Sequence, residues 1–290
     1  MKKTFVTILI ALLSLMGLRA LDFSGYQKLF LEEKFPEAEK LLLDMIPGVS
    51  SNADKAEIYW RLSMTMVVQG QLETTKDGKK KIFGKGIDYG KKAIEADPKN
   101  PECYMWHCAN VGRNTQTKML LSQAADVPVM MKDLTMVLCD LGQVSNSAAW
   151  QALSEIYYNH PMKSTDAAIN FSRRSCITVP EGELRIFTYE ALAKMLWERD
   201  LSAEKRAALI NDGTAKLKGA DDNIEKYAYY DAMTKVCSKW STAAYGSISD
   251  KDEARAVLRY ALSRYDAASS RTKTDDAEAA RVRSLLSSWK

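Results

Sequence analysis

The stretch Gly86–Gly112, GIDYGKKAIEADPKNPECYMWHCANVG, reads as the end of one helix, a tight turn and the start of the next helix. Pro98 predicts that the first helix stops just before it, because a residue that precedes proline avoids the α region. Asn100 and Pro101 predict the start of the second helix, with a cap residue followed by proline at the first helical position. Ala93 is small enough to let two helices approach closely. The stretch therefore predicts the joint between two stacked helices.

Most of the remaining chain also reads as helix. Strand-like alternation of Val, Ile and Thr is absent, and glycine and proline fall at intervals that suit helical hairpins. Large aromatic residues recur with a period longer than the 34 residues of a plain helix-pair repeat. The six tryptophans follow one another at intervals of 46, 44, 47, 43 and 49 residues: Trp60, Trp106, Trp150, Trp197, Trp240 and Trp289. Even if each one only fills the core of its own helix pair, the spacing indicates stacked pairs.

The N-terminus has the pattern of a secretory signal. Lys2 and Lys3 precede the apolar run Phe5–Leu18, which is followed by Arg-Ala. The last leucine of the run is larger than the residue that a cleavage site prefers, so an uncleaved membrane anchor is the alternative. The run is short for spanning a bilayer, which takes roughly 20 residues. We therefore expect an exported, periplasmic protein, with residues 1–20 as a leader or anchor and residues 21–290 as a single helical domain.

The charge of the chain depends strongly on this leader. The formal net charge of the whole sequence is +4, and it falls to +1 when the leader is set aside. We therefore expect no nucleic-acid partner. The segment Gln69–Lys85 is interpreted as a polar insertion, whose lysines lie in a solvated loop or a helix start. Binding of anionic lipid or nucleic acid by these lysines is the sharper alternative.

Three groups of residues resemble one branch of the tetratricopeptide-repeat (TPR) superfamily. They are Glu57–Ser63 (EIYWRLS), the Gly86–Gly112 stretch, and Asp166–Ile169 with Pro180. The branch includes the eukaryotic regulator of microtubule dynamics proteins and bacterial TPR proteins associated with TRAP transporters. The resemblance implies an all-α fold, a TPR-like α-solenoid of stacked antiparallel helix pairs.

The leader makes the bacterial relatives the better fit. The resemblance then implies an extracytoplasmic protein that contacts the substrate-binding protein of a TRAP-type transporter, forms a homotrimer and carries an apolar channel or cleft. The sequence departs from the family pattern in two respects. It has no lipidation cysteine, since the first cysteine is Cys103, and the segment after Arg113 is short and rich in Thr, Ser and Gln.

The sequence lacks the usual marks of catalysis. No GxSxG, HExxH or Walker-type glycine loop occurs. The only two histidines, His107 and His160, are 53 residues apart. We therefore expect no enzymatic activity, no metal and no cofactor, with His107 a hydrogen-bonded histidine between helices. The cysteines, which lack CxxC spacing, are expected to be buried thiols or to include one disulfide: Cys103, Cys108, Cys139, Cys176 and Cys237.

The candidate binding residues follow from the geometry of TPR arrays, in which the first helix of each pair lines the concave side. Taking Tyr104 as the fourth residue of its repeat turns one stripe of that helix toward the groove. Arginines there are suited to charge-assisted hydrogen bonds with a carboxylate or backbone of a partner. An arginine that merely complements the negative end of its own helix is the alternative. The candidates are Arg61, Met105, Ala109, Arg113 and Asn114.

These observations predict a protein–protein interaction module, with the substrate-binding protein of a TRAP-type transporter as partner. One alternative is a carrier that holds a small hydrophobic ligand in a cleft or pore between helix pairs. Another is an envelope-assembly scaffold. Methionines suit adaptable apolar surfaces, and four of them are expected to line such a cleft or to fill the core: Met105, Met119, Met130 and Met131.

Overall fold

The computed structural model describes residues 21–118, 123–159, 164–219 and 239–289, together with Ile224 and Lys226. Every regular element in this described part is helical, which confirms the predicted all-α fold. Several residues discussed above lie outside the described residues: the leader 1–20, Met119, His160 and Cys237.

Twelve α-helices are described. They are α1 (Ser24–Leu31), α2 (Phe35–Met45), α3 (Asn52–Leu72), α4 (Lys76–Ala96), α5 (Pro101–Thr115), α6 (Val127–Thr135), α7 (Ser147–Asn159), α8 (Thr165–Thr178), α9 (Ile186–Arg199), α10 (Ala203–Gly219), α11 (Asp250–Ala267) and α12 (Lys273–Ser288). Short 3₁₀ turns occupy Ile46–Gly48, Ala124–Asp126 and Tyr245–Ser247, and α6 continues into the π-helical turn Met136–Asp140.

The helices stack in the order of the chain. From α1 to α9 each helix packs against the next one, and α3 also packs against α5. Contact between the first helices of successive pairs is the arrangement expected of a helix-pair solenoid, and it confirms the predicted TPR-like α-solenoid. The alternation changes after α9. This helix packs against both α11 and α12, whereas α10 lies against the 3₁₀ turn Tyr245–Ser247.

The core runs through the array as three main apolar clusters. The first joins α1 to α4 around Leu42 and Leu62, and the second joins α5 to α8 around Trp150 and Phe171. The third joins α8, α9, α11 and α12 around Tyr189. Each cluster takes side chains from several neighbouring helices, so no pair buries its apolar face alone.

The central joint has the predicted form. Helix α4 ends at Ala96 and α5 begins at Pro101. The Asn100 side-chain oxygen accepts a hydrogen bond of 3.0 Å from the backbone N–H of Glu102, as an N-cap residue should. Ala93 is fully buried. The prediction of a proline-marked joint is confirmed.

Two glycines of α4 make the packing at this joint possible. A Cβ at Gly86 would lie 2.1 Å from Oδ1 of Asn110, and a Cβ at Gly90 would lie 2.7 Å from Cβ of His107. The two positions are one helical turn apart, so they leave one face of α4 without side chains, and α5 packs closely against that face. Beside this face, the Asn110 amide donates hydrogen bonds of 2.9 Å to the carbonyl and hydroxyl oxygens of Ser63 on α3.

The tryptophan period corresponds to the helix pairs over most of the array. Four tryptophans lie on alternate helices: Trp60 on α3, Trp106 on α5, Trp150 on α7 and Trp197 on α9. The other two lie outside helix bodies, since Trp240 is in a turn and Trp289 follows α12 directly. The repeat prediction therefore applies to the region from α3 to α9.

The lysine-rich segment is helical rather than a long insertion. Only Glu73–Thr75 separate α3 from α4, and the lysines form the first turns of α4. The Thr75 hydroxyl accepts a hydrogen bond of 3.1 Å from the N–H of Gly78, which fixes the start of the helix. The expectation of a polar insertion over Gln69–Lys85 is wrong, and its helix-start alternative is correct.

Three of the described cysteines, Cys103, Cys108 and Cys176, are buried and carry free thiols. Burial raises the pKa of Cys103 to about 12. It also raises the pKa of Cys108 and of Cys176, so all three thiols stay protonated at neutral pH. They pack as small apolar side chains, as the sequence predicted.

Candidate interaction surface

Four of the five predicted residues lie on α5, and three of them share one line along the helix. Met105, Ala109 and Arg113 are separated by four residues each, so they form one line along the helix. All three are partly exposed, whereas Cys108 and Val111 beside them are buried. We call this line the α5 stripe. Met105 also packs against the apolar cluster of α5 to α8, which fixes that end of the stripe.

Arg113 ends the stripe and is held from two sides. Its Nη1 lies 3.5 Å from Oε1 of Gln116. With the Gln71 amide turned so that its oxygen faces the guanidinium, that oxygen accepts from Nη2 at 3.2 Å and from Nε at 3.1 Å. Gln71 belongs to α3, so Arg113 bridges two neighbouring helices. Its position in the last turn of α5 also places its charge where the helix dipole favours a cation.

Asn114 adds an unused hydrogen-bond acceptor beside Arg113. Its Oδ1 is buried and has no hydrogen-bond partner among the described residues. An orphan buried acceptor destabilises a protein by about 1–3 kcal/mol relative to a paired one. The end of α5 thus places a cationic donor at the surface and an unpaired acceptor buried beside it.

Arg61 is used inside the protein instead. Its Nη1 donates to the Glu57 backbone oxygen at 2.9 Å and to Glu57 Oε2 at 2.6 Å. The guanidinium lies 3.7 Å from the ring centroid of Phe23 and 4.0 Å from that of Trp60. Glu57 also accepts a hydrogen bond of 2.9 Å from the Asn100 amide at the start of α5. The five predicted residues therefore form two groups. The α5 stripe and Asn114 lie together on α5, whereas Arg61 is bonded inside the protein.

His107 lies on the buried side of α5. Its Nδ1 is 2.6 Å from Oδ2 of Asp133 on α6, and both side chains are buried. Its Nε2 has no hydrogen-bond partner among the described residues. The histidine links two neighbouring helices, as the sequence predicted for a histidine between helices.

A buried charge network in the C-terminal half was not predicted from the sequence. Glu253 on α11 accepts hydrogen bonds of 2.9 Å and 2.6 Å from Arg173 on α8. It also accepts one of 2.5 Å from Arg206 on α10. The neighbouring Asp250 accepts bonds of 2.8 Å from Nε and Nη2 of Arg199 on α9. The network therefore ties together four helices.

The charges of the network balance one another. Burial works against the charge of Glu253, but Arg173 and Arg206 outweigh that penalty and hold its pKa below the ordinary value. Burial likewise opposes the charge of Arg173, and Glu253 overcomes it and keeps the pKa of Arg173 above its ordinary value. The six members are three arginines and three carboxylates: Arg173, Arg199, Arg206, Asp166, Asp250 and Glu253. No single motif encodes the network, because Arg173 and Glu253 are 80 residues apart.

Two clefts open on the described surface. One, of about 410 Å³, is polar and is lined by side chains that include Tyr158, Asp166, Glu198 and Arg199. The other, of about 660 Å³, runs along the lysine-rich side of α4.

In the described part of the chain, no three His, Cys, Asp or Glu side chains cluster so as to hold a metal ion. None of the described helices has the length and hydropathy needed to cross a membrane.

The fold is that of a helical-repeat protein, a TPR-like α-solenoid. A family model for regulator of microtubule dynamics protein 1-3 matches residues 26–126. No curated protein matches the chain. The matched segment runs from α1 to the 3₁₀ turn before α6, so it contains the central joint, Arg61 and the α5 stripe. The similarity to this family therefore covers the region that carries the candidate surface and excludes the buried charge network.

Proposed function

We propose that this protein is an extracytoplasmic interaction module that contacts the substrate-binding protein of a TRAP-type transporter. The observation that carries the proposal is the α5 stripe, where Met105, Ala109 and Arg113 stay partly exposed on a helix packed in the middle of the array. A partly exposed apolar line that ends in an arginine is suited to burying one face of a partner helix or edge.

Each member of the surface has a role in this contact. Met105 is flexible and polarisable, so it adapts to the partner's apolar side chains. Ala109 leaves space for a close approach of the partner's backbone. Arg113 donates to a carboxylate or carbonyl and sets the register, since Gln71 already orients its guanidinium.

The choice of partner class rests on the sequence resemblance. The segments Glu57–Ser63 and Gly86–Gly112 resemble bacterial TPR proteins associated with TRAP transporters, and the leader pattern suits an exported protein. A homotrimer belongs to the same proposal. The family match to residues 26–126 supports the helical-repeat part of this resemblance.

The proposal is tested with the substrate-binding protein of a TRAP-type transporter from the same cell. Both proteins are purified, and the dissociation constant is measured by calorimetry. Arg113→Glu should weaken binding by about tenfold or more, because it replaces a charge-assisted donor by a repelling carboxylate. The matched control is Arg259→Glu, the same charge change at an exposed site on α11.

The control should leave the dissociation constant unchanged, and both variants should melt within a few degrees of the wild type. If the substrate-binding protein does not bind the wild type, the choice of partner is wrong. If it binds and Arg113→Glu binds as well as Arg259→Glu does, the α5 stripe is not the contact surface.

A further inference from the structure

The first turns of α4 carry a concentration of positive charge that the rest of the fold does not use. Helix α4 contains seven lysines and three acidic residues, a net charge of +4, whereas residues 21–290 as a whole have a net charge of +1. Four of the lysines fall in the first six positions of the helix: Lys76, Lys79, Lys80 and Lys81. We call these four the lysine cluster.

Within the described residues Lys79 interacts electrostatically with Glu73, but the lysine cluster forms no close ion pair. Lys85, a turn further along, pairs with Glu39 of α2, but none of the four cluster lysines forms an ion pair in the described part of the chain. Lys76, Lys80 and Lys81 are exposed. No other described residue covers the outward side of α4, since the shallow cleft of about 660 Å³ there is lined by α4 residues.

This placement opposes the local preferences of a helix. The N-terminal end of a helix carries a partial positive charge, so Lys76 and Lys79 in its first turns are unfavourable. Lys76 and Lys80 are also like charges at i and i+4, which repel each other. Asp77 is the one acidic residue in the first turn. Asp77 offsets only part of this repulsion, as the residue four positions before Lys81, so the helix start keeps an excess of positive charge that local stability does not explain.

The surroundings of the cluster favour a lipid surface over a nucleic acid. Leu72, the last residue of α3, is 60% exposed and lies at the corner that leads into α4. Lysines next to an exposed leucine are typical of segments that bind the interface of an anionic bilayer. Surfaces that bind single-stranded nucleic acid add exposed aromatic side chains to their lysines and arginines. Helix α4 contains no arginine, and its two aromatic residues, Phe83 and Tyr89, are buried.

We propose that the lysine cluster, with Leu72, docks the protein onto an anionic phospholipid membrane. The lysines lie on one helix whose outward side is not covered by other described residues, so this side can meet the flat, negatively charged surface of a membrane. Leu72 enters the boundary between headgroups and acyl chains, while the lysine ammonium groups approach the lipid phosphates. This surface uses residues other than those of the α5 stripe and is independent of the identity of the protein partner.

The test is vesicle sedimentation of the full chain. Partition coefficients are measured on vesicles that contain phosphatidylglycerol and on vesicles of phosphatidylcholine alone, and their ratio is compared between variants. The apolar leader contributes to both vesicle types, so the ratio isolates the electrostatic part. The test variant carries Lys79→Gln, Lys80→Gln and Lys81→Gln. The control carries Lys40→Gln, Lys99→Gln and Lys205→Gln, three exposed lysines on separate parts of the chain.

The cluster variant should lower the ratio by at least about tenfold, since each lysine near an anionic surface changes partitioning roughly fivefold. The control should change the ratio by less than about threefold. The cluster variant should melt at the same or a higher temperature than the wild type, because it removes repulsion at the helix start. An unchanged ratio overturns the proposal, and so does an equal fall in both variants. Lysine-dependent binding of a single-stranded oligonucleotide without binding of the anionic vesicles also overturns it.

Discussion

Removing the charge of Glu253 is the sharpest test of how the C-terminal half holds together. Glu253 is fully buried, and its two carboxylate oxygens receive three hydrogen bonds from two arginines. Glu253→Gln keeps the size of the side chain and removes its charge. The amide NH₂ group then faces a guanidinium, which has no acceptor to offer. Arg173 and Arg206 remain buried with one carboxylate fewer between them.

The expected loss of stability is large. Breaking a buried ion pair by neutralising one partner costs about 3–5 kcal/mol, because an uncompensated charge stays in the interior. Single domains are stable by only about 5–15 kcal/mol. For a chain of this size each kcal/mol lowers the melting temperature by about 2–4 °C, so the variant should melt about 6–20 °C below the wild type. The matched control is Asp266→Asn, which breaks the exposed pair of Asp266 with Arg283 and should cost less than about 1 kcal/mol.

The assay is urea unfolding followed by circular dichroism at several pH values. The pKa of Glu253 is depressed in the folded protein, so its contribution is fully present above the pKa of an unfolded glutamate, about 4.3, and is lost as pH falls through the folded value. The gap in free energy of unfolding between wild type and Glu253→Gln should therefore be constant from neutral pH to about pH 5 and shrink below pH 4.3. A gap at neutral pH no larger than that of Asp266→Asn would refute the reasoning.

Two further predictions concern aromatic contacts. Arg61→Ala should lower the free energy of unfolding by about 1–3 kcal/mol, because the guanidinium contacts two rings and Glu57; weaker binding of the partner without any loss of stability would contradict this structural role. Trp289 stacks on Trp197 with ring centroids 4.3 Å apart and an interplanar angle of 7°. Trp289→Ala should lower the free energy of unfolding by about 1–3 kcal/mol and speed amide exchange in α12 more than in α4. An equal increase of the exchange rate in the two helices would show that the stack does not hold the end of the array.

Much of the fold could be predicted because the decisive signals are local. Pro98, Asn100 and Pro101 act on neighbouring backbone groups, so the joint between α4 and α5 follows from a few adjacent residues. The lysine-rich segment was harder to assign from sequence. Its composition suggests a solvated loop, but Thr75 caps the helix and Phe83 of α4 anchors it in the core. The burial of Phe83 on the inner face of α4 therefore outweighed the polarity of the neighbouring lysines.

The candidate surface was predicted in part for the same reason. Met105, Ala109 and Arg113 share a line through helical periodicity alone, and the structure places them on it. The internal role of Arg61 depends in part on Phe23, 38 positions earlier in the chain, and that contact leaves no local mark, whereas its pairing with Glu57 has the local i,i+4 spacing. The network around Glu253 joins helices that are far apart in sequence, so only the packed structure reveals it.

The central claim is that the α5 stripe is the face that meets the protein partner. Site-specific photo-crosslinking tests it most directly, with the photoreactive residue p-benzoylphenylalanine placed at Met105 in one sample and at Lys205 in another. Met105 is a large, partly exposed member of the stripe, and Lys205 is exposed on α10. We expect a crosslinked product with the TRAP substrate-binding protein from position 105 and none from position 205. A product from position 205 with none from position 105 would contradict the claim.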